Sequence, residues 1–200
     1  RVERLALRNA KPAIFLDRDG VINEERNGLH RAEDVRLLPG AADAIRSIND
    51  AGFPVICVTN QPDIAKGFMT LDGLLEVTSE IDHQLARESG GYLDDMFFCP
   101  HHPEQGWPGE VAELKISCDC RKPADGLLRK AAAVHNIDLA KSWLVGDRFC
   151  DIAAARSAGA SSILVETGHA GNDVTKFNVE PTVRCKDLAS AADHILKALA

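Results

Sequence analysis

No apolar stretch among the 200 residues approaches the ~20 needed to cross a bilayer, so the sequence holds no candidate membrane-spanning helix. Basic residues are also in deficit: 23 Lys and Arg against 30 Asp and Glu leave a formal charge of -7 and a pI near 5.5. That balance lacks the footprint of a general nucleic-acid or anionic-membrane binder, so neither is expected as a partner, and any phosphate site must be basic only locally. Residues 1–11 contain no apolar core ahead of a cleavage site, which makes cytoplasmic residence the expectation. Internal repeats, low-complexity tracts and interdomain linkers are missing too. A single domain over 1–200, acting as a monomer, is therefore expected, and 45 % hydrophobic content suffices for its core.

What the chain does have is an alternation of short apolar runs with helical periodicity, the pattern of a parallel sheet covered by helices on both faces. Strands are predicted near 13–16, 54–59, 96–99, 143–146 and 161–165. The run Pro54-Val-Ile-Cys-Val-Thr59 is apolar on both pleat faces, as a central parallel strand should be. Ala41, Ala44, Ile45 and Ile48 line one helix face over 41–51, and Leu74, Val77, Ile81 and Leu85 another over 70–88. Three more helices are expected: one carrying Leu127, Leu128, Ala131 and Ala132, one over about 149–158, and one over 187–199. The fold class is α/β, a doubly wound parallel sheet with at least four right-handed crossovers. Two segments escape the rhythm, 23–39 and 100–117, and long loops in a compact domain are usually functional.

Four strand ends carry polar clusters. In Ile14-Phe-Leu-Asp17-Arg-Asp19-Gly20 an apolar strand ends in two carboxylates and a turn glycine. One carboxylate can attack a phosphoryl group while the other protonates the leaving oxygen and then activates water; taken alone, the pair is as readily a solvated strand end. Thr59-Asn60-Gln61 offers a hydroxyl and an amide to phosphate oxygens, or simply turn chemistry. Arg121-Lys122-Pro123 sets two cations before a helix N-terminus, which itself favours an anion. Gly146-Asp147-Arg148-Phe-Cys-Asp151 places carboxylates where they could hold Mg2+ together with Asp17, although an isolated GDxxxD is more often a helix cap. All four falling by chance on one sheet edge, where open α/β sheets bind ligands, is improbable.

The six cysteines do not read as a disulfide framework. Cys57 sits inside an apolar strand, whereas Cys99-Pro-His101-His102 and Cys118-Asp-Cys120, with sixteen residues between His101 and Cys118, form a CxH…CxC set suited to tetrahedral zinc. Cys99, His101, Cys118 and Cys120 fill four positions, so this metal is expected to be structural, clipping a loop at about 99–120 and holding Arg121 and Lys122 against the catalytic edge. His102 lies beside the pattern as a competing fourth ligand.

In this order DxDG, T-N, K-P and GDxxxD resemble the four motifs of the haloacid-dehalogenase-like phosphatases, over essentially the whole chain. The resemblance implies that superfamily's Rossmann-like fold with a minimal cap. It implies Asp17 as nucleophile and Mg2+ ligand, Asp19 as general acid and base and as an Mg2+ contact through its backbone carbonyl, and Asp147 as the remaining Mg2+ ligand. Thr59 and Asn60 are implied to bind the transferring phosphoryl group, Lys122 to neutralise it, and Asp151 to orient Lys122 or its loop. Arg121 and Arg148 stand where they could reach a second anionic group. CPHHP, CDCRKP and TNQxxIAKG further resemble the heptose-bisphosphate phosphatases of the superfamily, which implies a small phosphorylated sugar as substrate, with Glu25, Arg26, Asn27 and Gly28 beside it. Histidinol-phosphate phosphatases share the zinc ligands and are the neighbouring branch. Two departures separate this chain from the heptose pattern: Pro62-Asp63 stands where Ser-Gly is usual, and the metal loop is long. A zinc-stabilised binding protein without turnover is the alternative of another class, and the presence of Asp17, Asp19, Lys122 and Asp147 together speaks against it.

Overall fold

The structure, a computed structural model, describes residues 10–172 and 177–200; most of the N-terminal stretch read for a signal peptide lies outside them. Strands β1 (Ile14–Leu16), β2 (Val55–Asn60), β3 (Asp95–Cys99), β4 (Trp143–Gly146), β5 (Ser161–Val165) and β6 (Val183–Cys185) form one sheet in the order β3-β2-β1-β4-β5-β6. Every neighbouring pair is parallel. Helices α1 (Ala41–Asp50), α2 (Leu71–Glu88), α3 (Gly126–His135), α4 (Phe149–Ala158) and α5 (Leu188–Leu199) follow β1, β2, β3, β4 and β6 in turn.

The pleat sends successive side chains to opposite faces, and both faces are buried, which is why the strands read as unbroken apolar runs. Ile14 and Leu16 join Val55, Cys57, Val145 and Ile163 beneath α1, α2 and α5. Phe15 joins Ile56, Val58 and Leu144 beneath α3 and α4. Local signals set the helix ends: the Thr70 hydroxyl accepts from Gly73 N at 3.0 Å to start α2, a cap worth about 1 kcal/mol, and Gly159 at φ 78° stops α4.

The five predicted strands and five predicted helices are all present, with ends shifted by a residue or two. The sixth strand is an addition. It has three residues at the sheet edge, Val183 and Cys185 partly buried and Arg184 exposed, so it shows no apolar run from which to predict it.

The chain winds from β1 outward through β2 to β3, then crosses to β4 on the other side of β1. That reversal opens a crevice at the carboxyl ends of β1 and β4, directly before Asp17 and Asp147. Of the two segments outside the α/β rhythm, loop 23–39 borders this crevice through Glu25. Loop 23–39 doubles back on itself, with Glu24 N donating to Arg36 O at 2.9 Å and Leu38 N to Ile22 O at 2.9 Å, and it is anchored by buried Leu29 and Val35. Loop 100–117 is tied to the turn after β2 by Val111 N donating to Ala65 O at 2.9 Å.

Candidate active site

At the crevice a cavity of about 320 Å³ is lined by Asp17, Asp19, Thr59, Asn60, Arg121, Lys122, Asp147 and Arg148, so all eight residues singled out for phosphate chemistry meet in one place. Lys122 is its hub. The Nζ group lies 3.0 Å from Asp17 Oδ1 and 2.6 Å from Asp151 Oδ1, and donates to Val58 O at 2.7 Å. Burial alone would lower the Lys122 ammonium, but Asp151 and Asp17 outweigh it and hold it well above the usual lysine value. Asp151 is fully buried and also accepts from Arg148 N at 3.1 Å, so it orients Lys122 and starts α4 at the same time.

Oxygens of Asp17, Asp147 and Asp151 all lie within 4.8 Å of one another. Desolvation, helped by the charges of Asp17 and Asp151, pushes Asp147 up to about 8. Desolvation likewise raises Asp17 to about 6, with Lys122 opposing it. Asp147 Oδ2 accepts from His169 N at 2.7 Å, whereas Oδ1 is buried with no hydrogen-bond partner. Crowded, dehydrated carboxylates with a free buried oxygen are the donor set of a hard divalent cation such as Mg2+. Gly20 and Gly168 press on Asp147 from two sides; both have positive φ, and a Cβ on either would run into Asp147 Oδ2.

Asp19 occupies a different environment. Arg18 grips it through Nη2 and Nε, at 2.7 Å to Oδ2 and 3.1 Å to Oδ1, while Asn23 and Gln61 donate to it at 2.8 and 3.1 Å. Burial works to raise Asp19, but the Arg18 guanidinium prevails and holds its carboxyl below the ordinary value. Thr59 is buried beside it, its hydroxyl accepting from Gln61 Nε2 at 2.9 Å.

Asn60 lines the cavity, yet its side-chain amide is committed elsewhere: Nδ2 donates to Lys122 O and Oδ1 accepts from Lys122 N, both at 3.0 Å. In this arrangement the amide fixes the loop that delivers Lys122 and does not point free toward a phosphoryl group. Arg121 reaches back to His101 O at 3.4 Å, and the buried Nε of Arg148 has no hydrogen-bond partner. Of the loop residues expected beside the substrate, Glu25, Asn27 and Gly28 line an adjoining lobe, while Arg26 turns outward to pair with Glu24 at 2.9 Å.

Arg18, Gln61 and His169 were not assigned roles from the sequence. Arg18 and Gln61 sit inside motif stretches, so their proximity to Asp19 was a usable signal. His169 lies in the loop after β5, where no pattern points to it; its ring faces Glu25 at 3.3 Å and its backbone holds Asp147.

The second cluster brings together Cys99, His101, Cys118 and Cys120, whose ligand atoms all lie within 4.8 Å of one another. Cys120 Sγ is 3.2 Å from Cys99 Sγ and 3.3 Å from Cys118 Sγ, and His101 Nδ1 is 3.3 Å from Cys120 Sγ. These separations come close to the ~3.7 Å edge of a tetrahedron with 2.3 Å metal–sulfur bonds, so the set fits one metal ion. His102 is not part of it; its ring stands edge-on to Trp107 at 5.1 Å. Among the described residues no helix is long and apolar enough to cross a membrane.

Residues 119–191 match the model of the HAD-hydrolase-like family. A D-glycero-D-manno-heptose-1,7-bisphosphate 7-phosphatase of Thermosynechococcus vestitus is 39 % identical over 196 residues, covering 95 % of this chain and 98 % of the relative. The D-glycero-beta-D-manno-heptose-1,7-bisphosphate 7-phosphatase of Yersinia pestis is 42 % identical over 158 residues, 78 % of this chain and 81 % of the relative. In three dimensions, the D,D-heptose 1,7-bisphosphate phosphatase from B. bronchiseptica, crystallised with magnesium and phosphate, superposes with a TM-score of 0.81 at 33 % identity, covering 94 % of this chain and 99 % of that one. Fold and site thus define a phosphatase of the haloacid-dehalogenase-like class. Within that class, the chain belongs to the heptose-1,7-bisphosphate 7-phosphatase family.

Proposed function

We propose that this protein removes the C7 phosphate of D-glycero-D-manno-heptose 1,7-bisphosphate, with Asp17 as nucleophile. The observation that carries the substrate is the 39 % identity to a named 7-phosphatase across 98 % of that relative's length. Asp17 and Asp147 would hold Mg2+, which when bound neutralises phosphate charge and polarises the phosphoryl oxygens. Lys122 carries a fixed positive charge beside the attacking oxygen of Asp17, so a phosphate dianion can approach a carboxylate. Attack forms the Asp17–phosphorus bond and breaks the ester bond to the sugar; the departing oxygen takes a proton from Asp19. Water then attacks the phosphorus, gives a proton to Asp19, and releases Asp17 and inorganic phosphate.

In the arrangement seen, Asp19 is ionised by Arg18 and suited to the second half of the cycle. To act as the acid of the first half it must loosen from Arg18 and be protonated as substrate enters. Thr59 supplies a hydroxyl for the phosphoryl group, Asn60 holds the Lys122 backbone, and Arg121 and Arg148 provide cations for the rest of the anion. The second cluster is read as a structural zinc site. Four protein ligands leave no position for water, and its Cys120 directly precedes Arg121 and Lys122.

The test is phosphate release with Mg2+ from both anomers of the heptose bisphosphate, histidinol phosphate and an aryl phosphate, compared as kcat/KM. A preference for one heptose anomer is expected. Preference for histidinol phosphate would overturn the substrate while keeping the chemistry.

A further inference from the structure

Beside the catalytic cavity lies a second lobe of about 260 Å³, bounded by Glu25, Asn27 and Gly28 of loop 23–39 and by Gln61, Asp63 and Lys66 of the turn after β2. Asp19, Asn60 and Arg148 border both spaces, so the lobe adjoins the space around Asp17 and can take the remainder of a molecule reacting there. Its carboxylates are already partnered: Asp19 with Arg18, Glu25 with His169, and Asp63 with His30 and Lys66. A wall of paired carboxylates and amides offers hydrogen-bond acceptors and donors with little unbalanced charge, which suits hydroxyl groups.

Asp63 is where this wall is assembled. One oxygen lies 2.7 Å from His30 Nε2, on the far side of loop 23–39, and the other lies 3.4 Å from Lys66 Nζ. Its backbone carbonyl accepts from Phe68 N at 2.9 Å, and the next turn is held to the metal loop through Ala65 O. Gly28 passes so close that a side chain there would strike both His30 and Asp63. Two segments distant in sequence, loop 23–39 and the turn after β2, thus meet at one carboxylate.

We propose that Asp63 is a specificity-setting positioning residue, closing loop 23–39 onto the turn after β2 to shape the lobe that receives the polyhydroxylated body of the substrate. This rests on the sugar-phosphatase reading above. The experiment compares the parent, Asp63→Ala and His30→Ala on heptose bisphosphate and on an aryl phosphate that occupies the catalytic cavity alone. Loss of one charge-assisted hydrogen bond predicts a KM for the sugar about tenfold higher, with kcat on it little changed. Selectivity for sugar over aryl phosphate falls by the same factor in both variants, and Asp63→Glu restores part of it. A parallel fall on both substrates, or unchanged KM in both alanine variants, would overturn the proposal. If the parent itself shows no preference for the sugar, the failure belongs to the substrate reading.

Discussion

Replacing Asp151 by Asn tests whether the catalytic cluster is held together by the charge on its buried lysine. Lys122 is 2 % exposed and Asp151 0 %, and their contact, at 2.6 Å, is the shortest that Lys122 makes. Breaking a buried ion pair by removing one partner typically costs 3–5 kcal/mol. Two features reduce that figure here: Asp17 remains 3.0 Å from the same ammonium, and an asparagine oxygen can still accept a proton from it. Relief of repulsion among Asp151, Asp17 and Asp147 works in the same direction. The expected loss is therefore about 2 kcal/mol, or a melting point lowered by about 4–8 °C in a domain of this size. Urea unfolding and thermal melts in the presence of a chelator would measure it, free of metal binding. An Asp151→Asn protein as stable as the parent, or more so, would refute the reasoning, because it would show that carboxylate crowding costs as much as the ion pair returns.

Two further outcomes follow from the site. Asp147 titrates near 8 in the folded protein against about 3.9 in an unfolded chain, so the stabilising effect of its bound proton is complete below about pH 4 and lost as pH rises through 8. Metal-free parent should accordingly lose stability relative to Asp147→Asn between pH 5 and 8, as read by denaturant unfolding; the opposite slope would contradict the crowding of the three carboxylates. Cys118→Ser removes one of the four side chains proposed to hold zinc. A hundredfold weaker hold on zinc lowers apparent stability by ~2.7 kcal/mol, and melting with metal analysis should show that loss together with reduced turnover.

The sheet was legible because strands buried on both faces leave uninterrupted apolar runs, and the helices because Leu74, Val77, Ile81 and Leu85 repeat at helical spacing. The residues gathered at the crevice were legible because Asp17 and Asp147 directly follow β1 and β4 and Thr59 and Asn60 end β2, whereas Arg121 and Lys122 showed as a basic pair ahead of α3. The clustering of Cys99, His101, Cys118 and Cys120 showed in their spacing. Side-chain commitments did not show. Nothing in Thr59-Asn60-Gln61 announces that Asn60 spends its amide on the Lys122 backbone, 62 residues away. The grip of Arg18 on its neighbour Asp19, the approach of His169 to Asp147 and the link from His30 to Asp63 depend likewise on how loops fold over the crevice. β6 went unread for a simpler reason, since it is only three residues long at the sheet edge, with Val183 and Cys185 half-buried and Arg184 exposed.

The most direct test of the central claim is to trap the covalent intermediate. Protein quenched during turnover of heptose bisphosphate and treated with borohydride would have an acyl-phosphate reduced to an alcohol, converting the attacking aspartate to homoserine. Peptide mapping should find that change at Asp17 alone, and only when substrate is present. Modification at Asp147 or Asp151, or none at all under conditions where phosphate is released, would contradict nucleophilic attack by Asp17.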